Sequence, residues 1–169
     1  HNQIYFKESE NQPSVYPKQI AFNVIPQCDI FLDNNFTKEE MKLTWETHKI
    51  LDPNIQVQAT CVRVPVFNGH SEAVFLRAAK EISREEIIKI LDRTPGLKVL
   101  DDPSSGDYPT PFENATDTED VYVGRIRSQS LDDDCWISMW IVADNVYGKG
   151  AALNAVQICE ELLNVGSLK

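Results

Sequence analysis

The sequence has 169 residues, with 26 acidic and 16 basic side chains and a formal net charge of −10 at pH 7. This length fits one domain with a substantial core. The acidic balance argues against non-specific nucleic-acid binding, and no apolar run is long enough to predict a membrane span.

The first half of the chain predicts one helix between extended segments. Residues 19–26 read as a short buried strand or an entry segment. Thr37 and Glu40 form a capping-box pattern, which predicts a helix that begins at Thr37 and ends before Pro53. Residues 55–66 alternate and are rich in Val and Thr, so they predict a strand that continues, after a turn, through 71–79.

The second half predicts a helix, a loop, a hairpin and a final helix. Ser83 and Glu86 form a second capping-box pattern that opens a helix. Residues 101–120 are rich in Asp, Pro, Ser and Thr and predict a long surface loop. Two strands are expected at 121–128 and 135–143, joined by an acidic turn, with a last helix at 151–163.

Strands that cluster as hairpins predict an α+β fold with a mainly antiparallel, mixed sheet covered on one face by helices. The predicted strands carry large aromatic side chains, among them Tyr122, Trp136 and Trp140. A sheet with one uncovered apolar face favours association, so the sequence predicts a dimer.

Four charged residues stand in positions that can carry chemistry. Arg63 lies in apolar strand sequence, where a guanidinium either pairs with an internal carboxylate or grips an anionic ligand. His70 is either a structural hydrogen-bonding group or a general acid and base. Glu39 and Lys42 share a helix face and form either a solvated pair or a site for an ammonium and an anion.

The cysteines provide no metal-binding pattern. They are Cys28, Cys61, Cys135 and Cys159, with no close Cys pairs or histidine partners. We therefore predict reduced thiols in apolar surroundings, no metal site and a cytoplasmic location. No glycine-rich phosphate loop occurs, which argues against a self-contained nucleotide site.

Several sequence strings resemble one enzyme family. AFNVIPQCD, EEMK, ATCVRVPVFNGHSEAV and DNVYGKGAALNAVQI occur in this order, and CVRVPVFNGHSE is the most specific of them. Over residues 18–163 the chain resembles the aspartate-β-semialdehyde dehydrogenases. The resemblance implies the glyceraldehyde-3-phosphate-dehydrogenase-like C-terminal domain fold. It also implies NADP-dependent reductive dephosphorylation of β-aspartyl phosphate to aspartate semialdehyde, in lysine, threonine and methionine biosynthesis.

The resemblance implies a role for each candidate residue. Arg63 would hold the substrate α-carboxylate, Glu39 would contact its amino group and Lys42 would assist phosphate binding. His70 would act as general acid and base beside a catalytic cysteine. Asn154 would lie near the nicotinamide of the cofactor.

The family's nucleophile motif and its dinucleotide loop have no counterpart in this sequence. We therefore expect residues 1–147 to be a substrate-binding and dimerisation domain. Residues 148–169 would form a helix that packs on a nucleotide-binding domain outside this chain. The expected assembly is a homodimer that uses β-aspartyl phosphate, aspartate semialdehyde and phosphate, with no nucleic-acid or membrane partner. The chain alone is not expected to bind NADP or to be active.

Two alternatives stay open at this stage. The chain could be a non-catalytic dimerisation module or a cysteine-less paralogue, although a decayed paralogue has no physical reason to retain all four charged candidates. It could also belong to an N-acetyl-glutamyl-phosphate reductase. Glu39 argues against that enzyme, because a carboxylate suits a free ammonium and has no such partner on an acylated amine.

Overall fold

A computed structural model describes residues 15–167 of the chain. The chain divides into two compact units, His1–Pro65 and Val66–Lys169. This division differs from the expected one at 147/148, which concerned packing on a further domain and stays a prediction. No helix in the described residues is long and apolar enough to cross a membrane.

In the described part of the first unit, residues 15–65, the chain forms the helix α1 (Lys38–Ile50). Thr37 caps it: its side chain accepts the N–H of Glu40, and the Glu40 carboxylate accepts the N–H of Thr37. Both bonds of the predicted capping box are therefore present. Acidic side chains in the first turn and His48 and Lys49 in the last turn also suit the helix dipole.

The predicted strand at 55–66 is wrong. Only Arg63 pairs, in an isolated antiparallel bridge with Ile25 held by two backbone hydrogen bonds of 3.0 and 2.9 Å. The predicted segment 19–26 likewise contributes only Ile25 to pairing. Alternation and β-branched residues favour a strand only where a partner strand supplies hydrogen bonds and packing. Here Val62 and Val64 remain exposed.

The second unit is built on a four-stranded mixed sheet. Its strands are β1 (His70–Ala78), β2 (Leu97–Val99), β3 (Val121–Leu131) and β4 (Asp134–Ala143), in the order β1-β4-β3-β2. β4 is antiparallel to both β1 and β3, and β2 is parallel to β3. The predicted mainly antiparallel sheet is confirmed. β2 was not predicted, because three residues are too few for a periodic pattern.

The hairpin between β3 and β4 closes on two residues. Asp132 and Asp133 have φ values of 49° and 68°, in the left-handed region. Two-residue turns with positive φ at both positions match the twist of the flanking strands, and Asp tolerates this conformation. The acidic turn is thus tighter than predicted, and both strands extend further towards it.

One face of the sheet is covered by helix α2 (Arg84–Asp92), whose N-cap is Ser83. The second predicted capping box is present, with Glu86 at its third position. The helix buries Ile87 against three sheet residues of low exposure: Val123, Ile126 and Ile137. Burial of such side chains stabilises by roughly 1.5–3 kcal/mol each.

The opposite face of the sheet is only partly covered. The indole N–H of Trp140 donates to the carbonyl of Pro109 at 3.0 Å, just before a five-residue π-helical turn, Pro111–Ala115. Register places Phe75 opposite Ser138, on the same face as Trp136 and Trp140. Phe75 is 66% exposed on this face. The predicted irregular loop at 101–120 therefore contains an ordered turn that covers one end of the sheet.

The last helix, α3 (Ala152–Asn164), was predicted at almost these bounds. It has no buried residue and packs on no other helix or strand of the described chain. Its apolar side chains include Val156, Ile158 and Leu163, each more than half exposed.

A single carboxylate ties α2 to the irregular middle of β3. The Asp101 side chain is 2% exposed and accepts the N–H groups of Arg125 and Ile126 at 2.7 and 3.0 Å. It also pairs with the guanidinium of Arg84 at 2.8 Å. The ladder between β3 and β4 shifts register between Gly124 and Arg127. Asp101 thus accepts hydrogen bonds from the N–H groups of Arg125 and Ile126, which the ladder between β3 and β4 does not pair.

We expect Asp101→Ala to lower the free energy of unfolding by roughly 3 kcal/mol, because it leaves two backbone N–H groups without their acceptor and removes the carboxylate partner of Arg84. The matched control is Asp134→Ala, which removes a 3.4 Å ion pair with Arg77 whose side chains are 60% and 43% exposed. That change should cost under about 1 kcal/mol. Urea unfolding of both variants provides the comparison. Equal losses would contradict the role given to Asp101.

Candidate functional site

The first turn of α1 presents two of the predicted site residues as an ion pair. Lys42 Nζ lies 3.0 Å from the Glu39 carboxylate, and each side chain is 42% exposed. The hydrogen bond to Glu39 raises the pKa of Lys42, with a further contribution from the charge of Glu39. Both groups are accessible and each neutralises the other.

Among the described residues, Arg63 does not form the internal ion pair that its sequence position allowed. The residue is exposed, and within residues 15–167 its guanidinium contacts no carboxylate in an ion pair. Its charged end instead lies 5.3 Å from the centre of the Tyr16 ring, within the range of a cation–π contact. Of the two open interpretations, the internal ion pair is not formed by the described residues, and the grip on an anionic ligand stays a prediction.

The charges of Arg63 and Glu39 both influence the half-buried thiol of Cys28. Burial raises the pKa of the Cys28 thiol; the charge of Arg63 opposes this, while Glu39 and Glu40 add to it. The two candidate ligand groups therefore act on the same half-buried thiol. A raised pKa keeps that thiol protonated at neutral pH, unlike an activated nucleophile.

Sequence reasoning identified Glu40 only as part of the helix cap. In the structure it is 8% exposed, and its second oxygen accepts the N–H of Cys61 at 2.9 Å. The hydrogen bonds from Thr37 and then Cys61 lower the pKa of Glu40, with burial opposing them. Nothing local in the sequence signals this contact, because its partners are 21 residues apart.

His70 lies in the second unit, at the first position of β1. It is exposed, and its side chain forms no hydrogen bond or ion pair with any residue of the described segment. The turn before it is tightly built. Gly69 has φ +89°, its N–H donates to the Asn145 side chain at 3.1 Å, and an added Cβ would lie 2.8 Å from that of Ala115. Convergence of His70 with Arg63 stays a prediction.

Another buried carboxylate, Asp144, organises the segment that precedes α3. Asp144 is 5% exposed and accepts the N–H groups of Val146, Tyr147 and Asp117 at 2.8, 2.8 and 3.1 Å. These backbone hydrogen bonds, the one from Val146 first, lower the pKa of Asp144. Asn154, the predicted cofactor contact, follows in the first turn of α3 and is exposed.

The described residues do not by themselves fit a dinucleotide. A pyrophosphate is typically held by free N–H groups at a helix start. The starts of α1, α2 and the π-helical turn are occupied by the side chains of Thr37, Ser83 and Thr110. The first N–H groups of α3 donate to the carbonyls of Val146 and Tyr147. At each helix start in residues 15–167, at least one N–H group is thus already bonded within the chain, which disfavours a phosphate site there.

Comparison with known proteins identifies one family. Residues 2–147 match the family described as semialdehyde dehydrogenase, dimerisation domain. The aspartate-semialdehyde dehydrogenase of Legionella pneumophila is 52% identical over 149 residues, which are 88% of this chain and 42% of that protein.

Solved structures agree with this match. The crystal structure of aspartate semialdehyde dehydrogenase II from Vibrio cholerae complexed with ASA has a TM-score of 0.85 and 45% identity, covering 95% of this chain and 46% of that one. The Candida albicans enzyme with NADP has a TM-score of 0.67 and 30% identity, covering 85% and 45%. The chain spans less than half the length of these relatives.

We expect the stabilising effect of Asp144 to depend on pH. The folded-state pKa is lowered from the ordinary value of 3.8. Its contribution is therefore complete above that value and is lost as the pH falls through the folded pKa. Asp144→Asn should lower the free energy of unfolding by roughly 1–3 kcal/mol at pH 7. The difference from the wild type should shrink below pH 3.8. Urea unfolding across this range tests it, and a constant difference would contradict it.

Proposed function

The chain belongs to the semialdehyde dehydrogenase dimerisation-domain family, and we propose that it is the substrate-binding and dimerisation part of an aspartate-semialdehyde dehydrogenase. The proposed reaction is reductive dephosphorylation of β-aspartyl phosphate to aspartate semialdehyde, in lysine, threonine and methionine biosynthesis. The observation that carries the proposal is that the exposed guanidinium of Arg63 forms no ion pair with a carboxylate in residues 15–167, while Glu39 and Lys42 form an exposed ion pair.

The substrate carries three charged groups, and the candidates offer one complementary charge for each. Arg63 suits the α-carboxylate, because a guanidinium donates two parallel hydrogen bonds to a planar anion. Glu39 suits the ammonium, and Lys42 suits the phosphate. Substrate binding would replace the exposed Glu39–Lys42 ion pair by two new pairs, so neither charge is left without a partner.

His70 is the proposed general acid and base. An imidazole can accept the proton of a thiol and later return one near neutral pH. Its side chain has no other hydrogen-bond partner among the described residues, which leaves both ring nitrogens available. The tight Gly69 turn and the Asn145 side chain would fix the strand end from which it projects.

The nucleophilic cysteine and the dinucleotide site are proposed to lie in a part of the protein outside these residues. NADPH would supply the hydride there; the Candida albicans relative was solved with NADP. The exposed apolar side of α3 supports the proposal that residues 148–169 pack on that part. Asn154, in its first turn, would then lie near the nicotinamide.

N-acetyl-glutamyl-phosphate reductase is the less favoured candidate. Its substrate has an acylated amine, which offers no positive charge to Glu39. The ion pair of Glu39 with Lys42 suits a substrate in which a free ammonium lies close to an anionic group.

We further propose that the partner is a second copy of this chain, bound at the open sheet face. Tyr122, Trp136 and Trp140 share this face, together with the exposed Phe75. An open cavity of about 450 Å³ lies there, lined in part by Phe75 and Trp140. A two-fold interface of ordinary size buries on the order of 1,600 Å² in total, which such a face can provide.

The first kinetic prediction separates the roles of Arg63 and His70 in the full-length protein. Arg63→Lys keeps the charge but loses the paired donors, so it should mainly raise the KM for aspartate semialdehyde. His70→Asn should lower kcat by roughly 10²–10⁴-fold with little change in KM. Steady-state assays with aspartate semialdehyde, phosphate and NADP measure both. Normal kinetics for Arg63→Lys would remove Arg63 from the site.

The second prediction concerns assembly. Phe75→Asp introduces a charge into the proposed interface and should convert the dimer to a monomer, because an unpaired buried charge is costly. Ile90→Asp is the matched control: Ile90 is 57% exposed but lies on α2, which covers the other sheet face. Sedimentation velocity at micromolar concentration distinguishes the two. A dimer that survives Phe75→Asp would place the interface elsewhere.

A further inference from the structure

We propose that Glu40 is the positioning residue of the substrate site and holds the Glu39–Lys42 turn at a fixed distance from Arg63. This inference rests on the function proposed above. One Glu40 oxygen accepts the N–H of Thr37 at 2.7 Å, and the other accepts the N–H of Cys61 at 2.9 Å. A single side chain thus joins the start of α1 to the segment that carries Arg63.

The two segments that Glu40 joins carry the candidate ligand-binding side chains. Glu39 and Lys42 flank Glu40 on the first turn of α1, and Arg63 follows Cys61 by two residues. Residues 56–62 belong to no strand, so no sheet ladder holds them against the helix. The β-bridge to Ile25 holds the backbone of Arg63 in place. The hydrogen bond from the Cys61 N–H to Glu40 holds the same segment against the start of α1.

Helix capping alone does not require this arrangement. Glu86 occupies the equivalent position in the capping box of α2 and receives the N–H and hydroxyl of Ser83 on one oxygen, at 3.0 and 2.8 Å. Glu86 is exposed, and its bonds stay within its own box. Glu40 makes the same cap with one oxygen and, in a buried setting, uses the other for a distant amide. The chain therefore contains two capping-box glutamates: Glu40, which also accepts the distant N–H of Cys61, and Glu86, which binds only within its own capping box.

The two hydrogen bonds of Glu40, from the N–H groups of Thr37 and Cys61, require both a carboxylate and the full length of a glutamate side chain. Both partners of Glu40 are N–H donors, so a glutamine at this position would satisfy one and turn its own NH₂ group towards the other. In a buried site that donor–donor contact leaves both groups without an acceptor. An aspartate keeps two acceptor oxygens but is one methylene shorter, so it cannot reach both amides.

The test compares Glu40→Gln and Glu86→Gln in the full-length protein, with hydrogen exchange and steady-state kinetics as readouts. Glu40→Gln should accelerate hydrogen exchange of the Cys61 amide by about 10-fold. Mass spectrometry of peptides that contain Cys61 measures this exchange. The same substitution should raise the KM for aspartate semialdehyde by about 10-fold while kcat changes less than about 3-fold, because the ligand groups are displaced and the proton-transfer group is untouched. Glu86→Gln should change none of these quantities.

We expect the same changes in Cys61 exchange and in KM for Glu40→Asp, which replaces Glu40→Gln in the test if the latter fails to fold. A KM within 2-fold of the wild type in the folded Glu40 variant, beside a raised KM for Arg63→Lys, would overturn the positioning role and leave the proposed function standing. An unchanged KM for Arg63→Lys would remove Arg63 from the substrate site, and the positioning role of Glu40 would fall with it. Unchanged Cys61 exchange in Glu40→Gln would overturn the positioning role whatever the kinetics.

Discussion

A carboxylate removed from water must receive hydrogen bonds, and this constraint organises both units of the chain. In the part of the chain that the structure describes, nearly inaccessible acidic side chains include those of Glu40, Asp101 and Asp144. Each accepts backbone N–H groups from segments outside its own helix or strand ladder. An excess of acidic residues would oppose compaction if all of them were solvated charges; here some of them serve as internal acceptors.

These carboxylates lie where regular hydrogen bonding stops. Asp101 serves the amides that leave the β3–β4 ladder, and Asp144 serves the turn between β4 and α3. Glu40 serves a segment that forms no strand. The residues proposed to bind ligand or transfer protons lie close to these points in sequence, since Arg63 follows Cys61 and the Gly69 turn is held by Asn145, next to Asp144. Irregular backbone can carry function when something other than a ladder fixes it.

Local signals predicted local structure well. The two capping boxes, at Thr37 and Ser83, form as predicted, because their donors and acceptors lie within one helical turn. The strand at 55–66 failed because its alternation says nothing about whether a partner strand exists. The same limit applies to the site: Arg63, Glu39 and Lys42 could be named from the sequence, whereas the second bond of Glu40 depends on a contact across 21 residues.

The first turn of α1 shows how neighbouring acidic residues acquire different tasks. Glu39 forms an exposed ion pair with Lys42, an interaction typically worth under about 1 kcal/mol in water, so a charged ligand can replace it at little cost. Glu40 is buried on two backbone amides, and no ligand can substitute for those bonds without exposing them. Glu39, whose ion pair a ligand can replace, is therefore adjacent to Glu40, whose hydrogen bonds to the backbone stay in place. The helix places them about 100° apart, so one side of the same turn can face a ligand while the other is fixed to the protein.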